Sequence, residues 1–379
     1  MEPDDALFLL ARARLPDAVL RALLDAHRDP LAALSAARGA GLGLSPEARL
    51  ALRTPDLHRL DTDRAWLASG RRRVLAWHDP DYPPLLRHAP SPPPVLFVDG
   101  DADALWHPQV AIVGSRNPTP AGRDRARAFA GRFAAAGWMV TSGLAEGIDA
   151  AAHAGALDVG RTVAVVGTGT DRCYPPANAG LQSRIAAAGA VVSEHPPGTP
   201  ALASHFPTRN RIVAGMSLGT VVIEAAFRSG ALISARLAAE AGRDVFAVPG
   251  SPDNPLARGC HRLIRDGATL VEQADDVITS LAPVAEGLAS TLRGRLRSAS
   301  GDGGEAPRVR AAAGSAGGQP ADDPDHSRLW SALGCDPTPL DVLARRTGLT
   351  VPALSSMLLH MELDGRVVVA NGRYARRRH

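Results

Sequence analysis

The chain has no lysine: all 42 of its Lys-plus-Arg residues are arginine. A P-loop needs a lysine after its glycines, so the ordinary P-loop nucleotidases are excluded. Any phosphate contact must come from backbone N–H or from Arg, which grips oxyanions bidentately. Cysteine is nearly absent. Cys173, Cys260 and Cys335 lie far apart and form neither a disulfide framework nor a zinc spacing. Aromatics make up only 4% of the residues, so the core must be built from Ala, Val, Leu and Ile. No apolar run approaches the ~18 residues a spanning helix needs. The acidic start, Met1-Glu2-Pro3-Asp4-Asp5, is not that of a signal peptide. A cytoplasmic protein without membrane contact is expected. The net charge is only +3, so any basic surface must be local.

What is present is an alternation. Apolar runs at 110–113, 163–166, 190–192, 221–223 and 245–248, with a weaker one at 139–141, read as buried strands. A helical pattern follows each. In the pattern over 122–136, Ala126, Phe129, Ala130, Phe133 and Ala134 share one face, and the intervening arginines form a solvated one. Such alternation predicts an extended Rossmann-like parallel sheet with helices on both faces over 109–282. Ahead of it, 1–60 reads as a small helical module of the SAM or helix-hairpin-helix kind, with helices at 6–13, 18–27, 31–38 and 46–53. Pro16, Pro30 and Pro46 punctuate it, and Gly39, Gly41 and Gly43 form a joint. A hairpin Gly-x-Gly between its first helices is missing, so packing or oligomerisation competes with DNA contact. Residues 61–108 read as a proline-rich connector holding one strand, 95–98. Residues 283–325, poor in apolar groups, read as a flexible linker. Residues 326–379 read as a winged helix: helices at 327–333, 339–347 and 351–364, then a hairpin turning at Asn371-Gly372. The last of these helices carries Glu362 and Asp364 and no Arg, which argues against base reading in a major groove.

In open parallel sheets, ligands gather beyond the carboxyl ends of the strands. Those ends present Gly114-Ser115-Arg116, Gly143, and Gly167-Thr168-Gly169. Tyr174 follows, then Phe206-Pro207-Thr208-Arg209-Asn210-Arg211. Glycine, hydroxyl and arginine are the groups that hold phosphate oxygens. A dinucleotide cofactor does not fit. The first turn reads G-S-R-N-P-T, Gly167 and Gly169 lack a third glycine, and Ser142 stands where a ribose-binding acid belongs. No G-x-S-x-G nucleophile elbow exists, and the histidines have no metal-ligand spacing. His153, near Asp149, reads as a structural hydrogen-bonder rather than a base. Neither cofactor nor metal is expected. A phosphate-gripping site without catalytic groups suits a polymer. Single-stranded nucleic acid fits, with Tyr174 and Phe206 as candidate stacking surfaces against the alternative that both are core.

The same residues carry a family resemblance. Asp81-Tyr82-Pro83, Ala111 to Arg116, Ser142 to Asp149 with Ala152-His153, and Val163 to Gly169 with Tyr174-Pro175 are its first half. Ser193-Glu194, Phe206-Pro207-x-Arg209-Asn210-Arg211-Ile212, Glu224-Ala225 with Ser229-Gly230, and Val248-Pro249-Gly250 complete it. In order and spacing the chain resembles the DNA-processing protein A family (DprA, also called Smf). The resemblance implies a non-enzymatic recombination mediator. Such a protein binds and protects single-stranded DNA in natural transformation, loads the RecA recombinase onto it, and dimerises through the Rossmann-like domain. By position it implies that Gly114, Ser115, Arg116, Gly143, Gly167, Gly169, Arg209, Asn210 and Arg211 line the DNA phosphate pocket. The family's lysines have no Lys counterpart here. A fainter likeness, Gly219-Thr220-Val221-Val222-Ile223-Glu224, is to the lysine-decarboxylase-like Rossmann proteins that hydrolyse nucleoside monophosphates. The leading glycine pair of their loop is absent.

Overall fold

The computed structural model describes residues 1–39, 43–299, 324–333, 338–363, 366–370 and 373–376. They fall into two compact units, 1–302 and 303–379.

The first unit opens with helices α1 (Pro3–Arg12), α2 (Asp17–His27), α3 (Pro30–Arg38), α4 (Pro46–Arg53) and α5 (Leu57–Ala68). Side-chain caps start three of them: Asp29 on α3, Ser45 on α4 and Asp56 on α5. Strand β1 (Arg72–Ala76), the short helix α6 (Pro84–Arg87) and β2 (Val95–Gly100) come next. The alternating part runs β3 (Gln109–Gly114), α7 (Pro120–Ala135), β4 (Met139–Ser142), α8 (Ile148–Leu157), β5 (Thr162–Val165), α9 (Ala179–Ala188) and β6 (Ala190–Ser193). It continues α10 (His205–Met216), β7 (Gly219–Ile223), α11 (Gly230–Glu240), β8 (Asp244–Ala247), α12 (Arg258–Arg265), β9 (Thr269–Leu270) and α13 (Ala274–Ala299).

All nine strands form one sheet in the order β1-β2-β6-β5-β4-β3-β7-β8-β9. From β6 to β9 every pair is parallel; β2 runs antiparallel to both β6 and β1. Both faces are covered, which is why the strands read as continuous apolar runs. The period of two still sorts their side chains. Ala111 and Val113 of β3 join one core and Val110 and Ile112 the other.

Residues 61–108 are not a connector. They complete α5 and add two strands to the sheet. The same alternation explains why. Leu96 and Val98 of β2 face the central core, while Val95 and Phe97 face α1 to α5, with Phe8 stacked on Phe97 at 5.5 Å. The prolines occupy the connection between β1 and β2, where Tyr82 is buried and donates its hydroxyl to the Pro93 carbonyl at 2.8 Å. β1 escapes sequence reading because it begins in an arginine run. The expected linker also starts too early. α13 passes through Pro283, because Val277, Leu281 and Ala285 are buried on the sheet and that packing outweighs the lost hydrogen bond. The remainder of the expected linker, 300–323, lies outside the described residues. So do Gly41, Cys335, the Asn371-Gly372 turn and Asp364.

The second unit has α14 (Pro324–Ala332), β10 (Thr338–Pro339), α15 (Leu340–Thr347), α16 (Val351–Leu363), β11 (Val367–Ala370) and β12 (Arg373–Arg376). Gly348, at φ 71°, ends α15 in the left-handed conformation. β10, β12 and β11 form a small antiparallel sheet, and Leu329, Leu343, Leu354 and Leu358 make its core. This is a winged helix. Among the described residues no helix is long and apolar enough to cross a membrane.

Candidate functional site

Strand order reverses between β3, whose other neighbour is β4, and β7. A crevice opens beyond the carboxyl ends at such a switch point. A cavity of about 740 Å³ lies there, lined by Gly114, Ser115, Arg116, Gly143, Tyr174, Phe206, Arg209 and Asn210, with Ser229 and Gly230 opposite.

The turn after β3 is fixed by its neighbours. A side chain at Gly114 would run into the Ile223 carbonyl and Ile148, so only glycine lets β3 and β7 close up here. The Ser115 amide donates to the Glu224 carbonyl at 2.7 Å, and its own carbonyl accepts from the Ile148 amide at 3.1 Å. Ser115 Oγ accepts from the Asn117 amide at 3.1 Å. Arg116 follows, exposed on this rigid turn and without an ion-pair partner among the described residues.

Arg209 is the opposite case. It is 4% exposed, and its Nη1 donates to the Val165 carbonyl at 2.5 Å. Its guanidinium fills the space a side chain would need at Gly143. Burial pulls its pKa down to about 10, against the pull of Asp149; Arg116 adds to the repulsion. Burial pushes the Asp149 carboxyl up, opposed by Arg209 and by the Ala145 and Gly143 amides, which donate to it at 3.4 and 3.1 Å. The floor of the cavity is thus a buried cation, answered by one carboxylate, with a second cation at the rim. Helix α11 also starts at this cavity, capped by Ser229 Oγ, which accepts from Ala231 N at 3.2 Å. Its positive end favours an anion. Tyr174, 48% exposed, lies beside Phe206 with ring centroids 5.0 Å apart.

Three of the residues singled out from the sequence are elsewhere. Gly167 lies under the start of α10, where its carbonyl takes a 3.0 Å hydrogen bond with His205 Nδ1. Gly169 is wedged against Asp171, Pro196 and Gly198. Arg211, on α10 two residues past Arg209, points away from the cavity to Glu194 and to Asp17 of α2. Helix geometry separates them: residues two apart on a helix face different ways. His153 is fully buried with Nδ1 2.8 Å from Thr162 Oγ1, and burial depresses its pKa to about 3. It is a packing group. Sequence reading places Ser229 and Gly230 after the strand ending at Ile223 but leaves them out of the phosphate pocket, although a Ser-Gly after a strand is a legible helix start.

Glu224, in the left-handed conformation at φ 51°, decides what α7 can bind. Its carboxylate accepts from the Thr119 amide at 2.7 Å and from the Thr119 hydroxyl at 2.5 Å, at the N-terminus of α7. The helix end that follows the first strand, where a nucleotide phosphate sits in a dinucleotide-binding fold, already holds the protein's own anion.

Fold and cavity together define a doubly wound α/β protein with an arginine-bearing cavity at its switch point, joined in sequence to a winged helix. The family model for DNA recombination-mediator protein A matches residues 73–282, and that for the DprA winged helix domain matches 313–373. The chain belongs to the DprA/Smf family. It is 40% identical to the Smf protein of Synechocystis over 80% of each chain, and 36% identical to that of Escherichia coli over 84% of this chain and 81% of that one. The solved structure of DNA processing protein A from Streptococcus pneumoniae superposes with a TM-score of 0.65 at 34% identity, over 74% of this chain and 99% of that one. DNA processing protein A from Helicobacter pylori, described for its single-stranded DNA binding mode, gives 0.52 at 28% identity, over 57% and 97%.

Proposed function

We propose that this chain binds single-stranded DNA in the switch-point cavity and passes the coated strand to a RecA recombinase in natural transformation and recombination. It acts as a homodimer through the Rossmann-like domain and performs no chemistry on the strand. One observation carries the reading: exposed Arg116, buried Arg209 against Gly143, the start of α11 and the Tyr174–Phe206 pair line one cavity. Gly114, Ser115, Gly143 and Asn210 complete the phosphate-holding set, and the two aromatics take bases on their faces. Gly167, Gly169 and Arg211 serve by shaping the loops around it. The Helicobacter relative's single-stranded DNA binding supports the assignment.

The test is Arg116→Ala in a fluorescence-anisotropy titration with oligonucleotides of several sequences. Affinity should fall alike for all of them, and the salt slope should shrink by about 0.7, the value of one single-strand phosphate contact. Unchanged affinity would refute the assignment. Nucleoside-monophosphate hydrolysis keeps one point in its favour, the likeness of the Gly219-to-Glu224 stretch, which is strand β7 and the residue after it. Incubation with AMP should nevertheless release no adenine, because Glu224 is committed to the end of α7. Light scattering with and without an oligonucleotide tests the dimer.

A further inference from the structure

A second cavity, of about 760 Å³, lies between the N-terminal helices and the carboxyl ends of β5 and β6. Arg12, Arg14, Arg59 and Arg172 line it, against Asp17 and Glu194. Most of these charges are already answered. Asp17 and Glu194 are both bound by Arg211. Arg12 is held by Asp63 and by the Pro197 carbonyl, and Arg59 pairs with Asp56 at 3.3 Å. Arg14 and Arg172 remain: both are exposed, and neither has an ion-pair partner among the described residues. The neighbouring carboxylate of Asp171 is turned to the Gly198 amide at 2.8 Å.

Other groups in and around the cavity are constrained in place. Arg14 is held in the left-handed conformation at φ 53°, an uncommon state for a residue with a side chain. His195 stacks on His205 at 3.8 Å, and its Nε2 has no hydrogen-bond partner among the described residues. Burial, then His205, Arg211 and Arg14, hold its pKa down to about 4.

The two cavities share their walls. In the loop after β5, Arg172 lines the second cavity and Tyr174 the first. In the loop after β6 and the start of α10, Pro196 to Pro200 and His205 line the second, while Ala201, Ala203 and Phe206 line the first. Arg172 and Tyr174 are two residues apart in one loop, and His205 and Phe206 are adjacent, yet each pair is divided between the two cavities.

We propose that the second cavity continues the single-strand groove: phosphates of the strand leaving Tyr174 and Phe206 are held by Arg14 and Arg172, so the N-terminal helical module is part of the DNA-binding surface. This rests on the reading of the central cavity given above. The ligand is the phosphodiester backbone itself, without base preference.

The experiment is a ladder of oligothymidylates of increasing length, titrated against the full chain and its Arg14→Ala/Arg172→Ala variant. Both positions are exposed and without ion-pair partners among the described residues, so the variant should fold. For the shortest oligomers the two proteins should bind alike. For longer ones the variant should lose the gain in affinity that the wild type shows. Its salt slope there should be shallower by about 1.4, two contacts at about 0.7 each. Arg172→Glu should deepen the loss. Identical length dependence and slope in the two proteins would overturn the proposal. So would a loss that is equal at every length, since that would place both arginines at the central cavity. Arg116→Ala separates the two readings: it should weaken binding at every length, and its silence would sink the central assignment instead.

Discussion

Arg211 is bound to Glu194, not open to the switch-point cavity. The same Nη2 reaches Asp17 at 3.2 Å, so one guanidinium joins α10, the end of β6 and the N-terminal helices. Glu194 is 12% exposed and Arg211 20%. Burial pushes the Glu194 carboxyl up, and Arg211 only partly opposes that shift.

Removing Arg211 should therefore act mainly on stability. Arg211→Ala leaves a largely buried carboxylate without its partner, a loss of about 3 kcal/mol. Urea unfolding should show a lower midpoint. Single-strand affinity of the folded variant should change less than it does in Arg116→Ala. A variant as stable as the wild type but unable to bind DNA would contradict this placement.

Gly143→Ala should lower both stability and affinity. The added methyl meets the guanidinium of Arg209, which must move. The overpacking should cost about 1–3 kcal/mol, and oligonucleotide affinity should drop with it. Calorimetry and anisotropy on the same preparation read both; intact affinity would mean that Arg209 does not shape the site.

His153 supplies a pH dependence. Its folded pKa is held to about 3, against 6.5 when unfolded, so below pH 6.5 the unfolded chain binds the extra proton. Its contribution is present above pH 6.5 and is lost as pH falls toward 3, at about 1.4 kcal/mol per pH unit. Glu194 and Asp149, with raised carboxyls, act in the opposite sense. The histidine's share is therefore the difference between wild type and His153→Gln. Denaturant midpoints at pH 7 and pH 5 should show a shallower decline in the variant, and parallel declines would be inconsistent with a neutral buried imidazole.

Deleting 326–379 should leave most single-strand binding in place. The cavity residues all lie in the first compact unit, and the winged helix has its own core. Near-complete loss on deletion would move the site to the other unit.

Periodicity alone determined the strand–helix alternation from β3 to β8, because a strand buried on both faces must be an unbroken apolar run. It also marked Gly114-Ser115-Arg116 and Phe206-Pro207-x-Arg209-Asn210 as loop chemistry, since glycine turns and arginine carry their own signal. The edge strand β1 was harder, and β2, legible as a strand at 95–98, could not be placed in the sheet. Their pairing is long-range, and only the packing of Phe97 on Phe8 and Trp66 shows why 61–108 folds onto the sheet. Tertiary structure alone separated Arg209 from Arg211. A sequence lists the two as equals, but helical geometry sends one to Gly143 and the other to Glu194. It also separated the glycines: Gly114 and Gly143 admit the close approaches that form the cavity, while Gly167 and Gly169 do the same for the loops beneath it.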